Sequence, residues 1–108
     1  MPDSGYTYLC TIGALKEGVP RRFDVGGVPL SLVLAEEEVF AIHDTCSHSA
    51  VSLSEGEVEG CTIECWLHAS RFDLRTGEPL GPPATRPVSV YPVRIEVGNV
   101  YVQVTGRD

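Results

Sequence analysis

Two short clusters hold the side chains best suited to binding a metal. The first is Cys46-Ser47-His48 and the second is Cys65-Trp66-Leu67-His68, with sixteen residues between His48 and Cys65. Each offers one thiolate and one imidazole within a few positions. A lone C-x-H is a weak signal, but paired with a C-x-x-H at this distance it becomes a strong one. Two thiolates and two imidazoles satisfy a tetrahedral zinc ion, so a structural zinc site is one reading. Zinc fingers, however, place both cysteines first and both histidines on a helix. The alternating order found here suits a [2Fe–2S] cluster, with both thiolates on one iron and both imidazoles on the other. An all-cysteine cluster is disfavoured, because Cys10, Cys46, Cys61 and Cys65 do not follow the plant-type ferredoxin spacing. The expected ligands are therefore Cys46, His48, Cys65 and His68 around one [2Fe–2S] cluster, with zinc as the alternative.

Strands must position these clusters. Val28 to Ala35 reads as a largely buried strand, and Val39 to Ile42 as its hairpin partner across the acidic turn Glu36-Glu37-Glu38. Val88 to Val97 alternates, and Gly98-Asn99 is predicted to turn the chain into the strand Val100 to Val104. Pro92 interrupts the first of these runs, which predicts an edge or a bulge there. Arg75-Thr76-Gly77-Glu78 is a further turn signal, following Arg71 to Leu74. Tyr6 to Cys10 and Arg21 to Val25 are weaker strand candidates. No amphipathic helix is apparent, so the expected class is all-β, with each metal-binding cluster at the tip of a hairpin loop.

Composition sets the outer limits. The 108 residues fit one domain, 1–108, with 43% apolar residues, 11 Gly and 8 Pro, as expected for short strands joined by turns. Eight basic against fifteen acidic side chains leave a net charge of −7, which argues against nucleic acid as a partner and suits docking on a basic protein surface. The first residues lack the basic and apolar regions of a secretory signal, and no apolar run is long enough to span a bilayer. A cytoplasmic, reducing location is expected, where four cysteines read as metal ligands or free thiols rather than disulfides.

With these residues in view, C-S-H, sixteen residues and C-W-L-H resemble the Rieske signature, and the resemblance extends over most of the chain. It is closest to the small ferredoxins of bacterial aromatic-ring dioxygenase systems. Similar small proteins accompany bacterial iron–sulfur assembly machinery. The resemblance implies stacked antiparallel sheets with the cluster near one tip. Cys46 and Cys65 would hold the buried iron, and His48 and His68 the outer, more exposed one. Gly81-Pro82-Pro83-Ala84 stands where the family has a third, proline-containing loop. One departure is Ala69, where the second motif usually continues with glycine. The respiratory relatives carry an extra disulfide whose cysteines would fall at Val51 and Leu67, so that bond is impossible here. Ser70 matches a serine that donates to the cluster in those relatives, whereas Phe72 replaces a tyrosine and has no hydroxyl. One donor fewer implies a low-potential carrier.

The function implied is a one-electron carrier between a flavoprotein reductase and an acceptor oxygenase, and not itself an enzyme. An accessory role in iron–sulfur cluster assembly and a zinc-stabilised interaction domain are the alternatives. A mononuclear iron oxygenase needs two further histidines and a carboxylate, but only His43 is uncommitted. No Gly-x-Gly-x-x-Gly is present to hold a dinucleotide. Cys10 and Cys61 read as strand thiols, and His43 as a strand-end histidine. Trp66, between two ligands, reads either as a shield over the cluster or as a packing anchor.

Overall fold

A computed structural model describes residues 6–46, 51–66, 70–81 and 86–104. Within these described residues, ten strands form three antiparallel sheets and there is no α-helix. The strands are β1 (Tyr6–Thr11), β2 (Arg21–Val25), β3 (Val28–Ala35), β4 (Glu38–His43), β5 (Glu57–Glu59), β6 (Thr62–Glu64), β7 (Arg71–Asp73), β8 (Val90–Tyr91), β9 (Val93–Glu96) and β10 (Asn99–Gln103). The sheet orders are β1-β10-β9, β2-β3-β4-β8 and β5-β6-β7.

β3 explains why these sheets stack. Its sequence, VPLSLVLA, is apolar on both faces, as a strand covered on both sides must be. Leu30 and Leu32 pack with Ala41, Val100, Val102, Cys10 and Leu15 in one core. Val33 and Ala35 point the other way, into a second core with Ile42, Leu53, Ile63, Phe72 and Leu74. The β3–β4 hairpin is thus a wall shared by two cores. Each aliphatic side chain fully buried there contributes about 1.5–3 kcal/mol.

The turns follow the right-handed twist of the strands. Gly26 and Gly27 join β2 to β3 with φ of 58° and 86°, a conformation that glycine adopts without strain. Glu36 and Glu37 do the same between β3 and β4 with φ of 54° and 68°, without glycine. This turn is tied down from outside: the Glu36 N–H donates to Glu17 Oε2 at 2.8 Å, and Arg75 Nη1 donates to Glu38 Oε1 at 2.7 Å. Glu38 itself belongs to β4, so the acidic turn is one residue shorter than expected.

Two expectations near the C-terminus are corrected. The run 88–97 is not one strand: β8 pairs with β4, and β9 pairs with β10 in a different sheet. Pro92 stands at the crossing, where it has no N–H to give to either ladder and its carbonyl accepts from Gln103. The last hairpin turns at Val97-Gly98, with φ of 51° and 76°, rather than at Gly98-Asn99. Asn99 pairs with Glu96 as the first residue of β10.

Among the described residues, no helix is long and apolar enough to cross a membrane.

Candidate metal centre

The small sheet β5-β6-β7 is built to present a loop. Val58, Ile63 and Phe72 form one cross-strand row, and Ile63 and Phe72 are fully buried in the second core. Glu57, Glu64 and Arg71 form the next row on the opposite face, where Arg71 bridges Glu64 at 3.1 Å and Glu59 at 3.0 Å. β6 runs directly into Cys65, and β7 begins directly after Ser70.

Both cysteine loops close in the same way. The Cys46 N–H donates to the Val51 carbonyl at 3.0 Å, and the Cys65 N–H donates to the Ser70 carbonyl at 2.6 Å. Each bond spans five positions, so each cysteine stands at the same place in its loop. Cys46 is 3% exposed and Cys65 0% exposed, and both belong to the second core. Neither is in a disulfide. Two thiols outside any disulfide, at matching loop positions in one apolar core, are the donor set that a thiolate-held, water-shielded iron needs. The residues present therefore fit the buried half of the expected cluster. His48 and His68 lie outside the described residues, as do Pro82, Pro83, Ala84 and Ala69. Among the described residues, no three potential metal donors gather in one place.

Buried polar contacts anchor the first loop. Asp44 is fully buried two positions before Cys46. Its Oδ1 accepts from the Ser54 N–H at 2.8 Å, its N–H donates to the Pro29 carbonyl at 3.0 Å, and its carbonyl accepts from Leu53. Arg22 Nη1 lies 3.7 Å from Asp44 Oδ2 and donates to Ser52 Oγ at 3.4 Å. The first loop and β2 are thereby linked. The start of the second loop is braced by Gly56, where a Cβ would overlap the Glu64 carbonyl. Neither Asp44 nor Gly56 stands out in the sequence, because an acid before a cysteine and a glycine after a turn are both common on surfaces.

The remaining candidates separate cleanly. Ser70 and Phe72 are fully buried. His43 Nδ1 is 3.2 Å from the Tyr91 hydroxyl at the end of β4, a structural role. Cys10 lies in β1 against the first core. Cys61, expected in a strand, sits instead in the turn between β5 and β6, packed against the second core. Burial pushes both thiols up, with Arg21 and Arg75 respectively pulling the other way, so both stay protonated near neutrality. Trp66 is 51% exposed, which leaves half of its surface outside the packing.

Comparison with known proteins agrees with this geometry. Residues 5–92 match the Rieske [2Fe-2S] domain family. The anthranilate 1,2-dioxygenase ferredoxin subunit of Burkholderia cepacia is 44% identical over 96 residues, 89% of each chain. The 3-phenylpropionate/cinnamic acid dioxygenase ferredoxin subunit of Shigella flexneri serotype 5b (strain 8401) is 43% identical over 96 residues, 88% of this chain and 90% of that one. The solved ferredoxin of carbazole 1,9a-dioxygenase from Nocardioides aromaticivorans IC177 superposes with a TM-score of 0.88 at 37% identity, covering 91% of this chain and 96% of that one. A ferredoxin solved in complex with the reduced oxygenase of carbazole 1,9a-dioxygenase superposes at 0.84 and 37% identity, covering 89% and 99%.

Proposed function

This chain belongs to the Rieske [2Fe-2S] family and carries one Rieske-type two-iron cluster, and we propose that it passes single electrons from a flavoprotein reductase to the oxygenase of an aromatic-ring dioxygenase system. It is the electron-transfer component and not the catalytic subunit. We assign Cys46 and Cys65 to the buried iron, and His48 and His68 to the outer one.

The observation that carries the assignment is the matched closure of the two loops, with both thiols buried in one core. An oxygenase as acceptor is supported by the relatives named as dioxygenase ferredoxin subunits and by the related ferredoxin solved in complex with an oxygenase. A reductase as donor is consistent with a sequence that holds no Gly-x-Gly-x-x-Gly with which to take electrons from a dinucleotide itself. These relatives lend no support to a role in cluster assembly. The cytoplasm, where such a reductase meets its cofactor, is the proposed location.

The test is compositional and spectroscopic. Purified protein is expected to be brown, with two iron and two sulfide per chain. Cys46→Ala or Cys65→Ala should leave little or no cluster. His48→Cys and His68→Cys should keep one at a much lower potential, since an added thiolate opposes the incoming electron. A colourless protein with one tightly bound zinc would overturn both cofactor and function. A normal spectrum in either cysteine variant would overturn the ligand assignment.

A further inference from the structure

β9 ends its sheet, and among the described residues no strand pairs with its outer edge. Arg94, Ile95 and Glu96 are all exposed, Ile95 by 44%. The other sheet edges are blunted, as open edges generally are. β1 is bulged between Tyr8 and Cys10. β5, β7 and β8 are no more than three residues long. β2 directs Arg22 to Asp44 and Ser52. β9 instead keeps an unbroken register over four residues and leaves Ile95 open to water.

The hairpin fixes where the free backbone groups of β9 point. The Pro92 carbonyl accepts from Gln103, and Arg94 and Glu96 stand opposite Tyr101 and Asn99. Backbone groups at 92, 94 and 96 therefore face β10, and those of Val93 and Ile95 face away from it. Laid antiparallel against its own copy about Ile95, the strand sets Arg94 opposite Glu96 of the second copy, and Glu96 opposite Arg94. Those are the positions without hydrogen bonds, where facing side chains come closest and opposite charges attract. Arg94 Nε and Glu96 Oε2 lie 2.9 Å apart within one chain, so both charges stand on one face of the strand. Ile95, on the other face, meets its own copy at the axis.

We propose that β9 is a self-association edge, through which two copies of this chain pair antiparallel about a two-fold axis at Ile95. The result is one six-stranded sheet, β1-β10-β9 continued by β9-β10-β1 of the second copy. What selects a second copy as occupant is the order Arg94-Ile95-Glu96, which read backwards presents an anion to each cation. Such a contact is isologous and closes on itself, so growth stops at the dimer. Val93 packs on the first core, whereas Cys46 and Cys65 lie in the second, so pairing leaves both cysteine loops uncovered. One short strand from each copy buries little surface, so the dimer is weak and forms at high protein concentration.

Sedimentation velocity on the purified holoprotein, from about 10 µM to about 1 mM, spans the range in which so small an interface assembles. The mass is expected to rise from that of one chain, 11.7 kDa, toward twice that value. Arg94→Glu and Glu96→Arg should each stay monomeric throughout, with the visible spectrum and melting temperature of the parent protein. An equimolar mixture of these two variants should dimerise, since each then meets the opposite charge, and so should the chain carrying both exchanges. The Ile95 amide proton should exchange more slowly at the higher concentration in the parent protein and equally fast at both in Arg94→Glu. A parent protein that stays monomeric at every concentration would overturn the proposal. So would an Arg94→Glu variant that still dimerises. Failure of both the mixture and the double exchange to restore the dimer would overturn the register about Ile95, as would an Ile95 amide indifferent to concentration in the parent protein.

Discussion

Ser70 offers a way to separate a hydroxyl from the backbone that carries it. Its carbonyl closes the second loop through the Cys65 N–H, and replacement by alanine leaves that bond in place. Its side chain is fully buried beside a proposed ligand, where a donor to a cluster sulfur would favour the reduced state. Only the difference between redox states moves the potential, so Ser70→Ala is expected to lower it by some tens of millivolts. Phe72, equally buried in the core that holds both cysteines, lacks the corresponding donor. Phe72→Tyr should raise the potential by a similar amount, while its added hydroxyl lowers the melting temperature. Voltammetry and thermal melts on the two variants decide this. An unchanged potential in Ser70→Ala would show that the hydroxyl does not reach the cluster.

At the scale of elements, two backbone positions make opposite demands. Gly56 lets the chain entering β5 press against the end of β6, and a methyl group there would collide with the carbonyl next to Cys65. Gly56→Ala should therefore destabilise by about 1–3 kcal/mol, as overpacking does, and lower iron retention with it. Val97 is a β-branched residue in the left-handed region and is 98% exposed, so nothing compensates its strain. Val97→Asn should raise stability by about 1 kcal/mol, because asparagine accepts that conformation. Denaturant titrations measure both, and a destabilised Val97→Asn would mean that the turn is held by contacts of the valine. The same two sites show what was legible in the sequence. β3 and most of β4 were readable because their apolar runs are clearly bounded, whereas β2, with the sequence RRFDV, was a weaker candidate because it is mostly polar. The Val97-Gly98 turn was misplaced by one residue, since valine is a poor turn residue and Gly98-Asn99 a good one. The split at Pro92 was visible only as an interruption, because a change of sheet depends on which neighbour each half pairs with. The two cysteines proposed as ligands were singled out by their spacing. The contacts that hold their loops, Asp44 and Gly56, arise from long-range packing and leave no local mark.

At the scale of the molecule, two cores share one wall. The first joins β1 and β10 to one face of the β3–β4 hairpin and contains no proposed ligand. The second joins the other face to the two cysteine loops and contains Cys46 and Cys65 among its buried residues. Its sheet, β5-β6-β7, consists of strands three residues long, too short to persist without side-chain packing. Iron binding and folding should therefore be coupled in one half of the protein only. On removal of iron by acid and chelator, the amide protons of 57–64 and 71–73 should exchange much faster, by about tenfold or more. Those of β10, and of Leu30 and Leu32 in β3, should keep most of their protection, because the core they line loses nothing. Hydrogen exchange followed by NMR on the iron-free protein reads each segment separately. Equal loss of protection in both cores would mean that the shared wall transmits the disruption and that the protein unfolds as one unit.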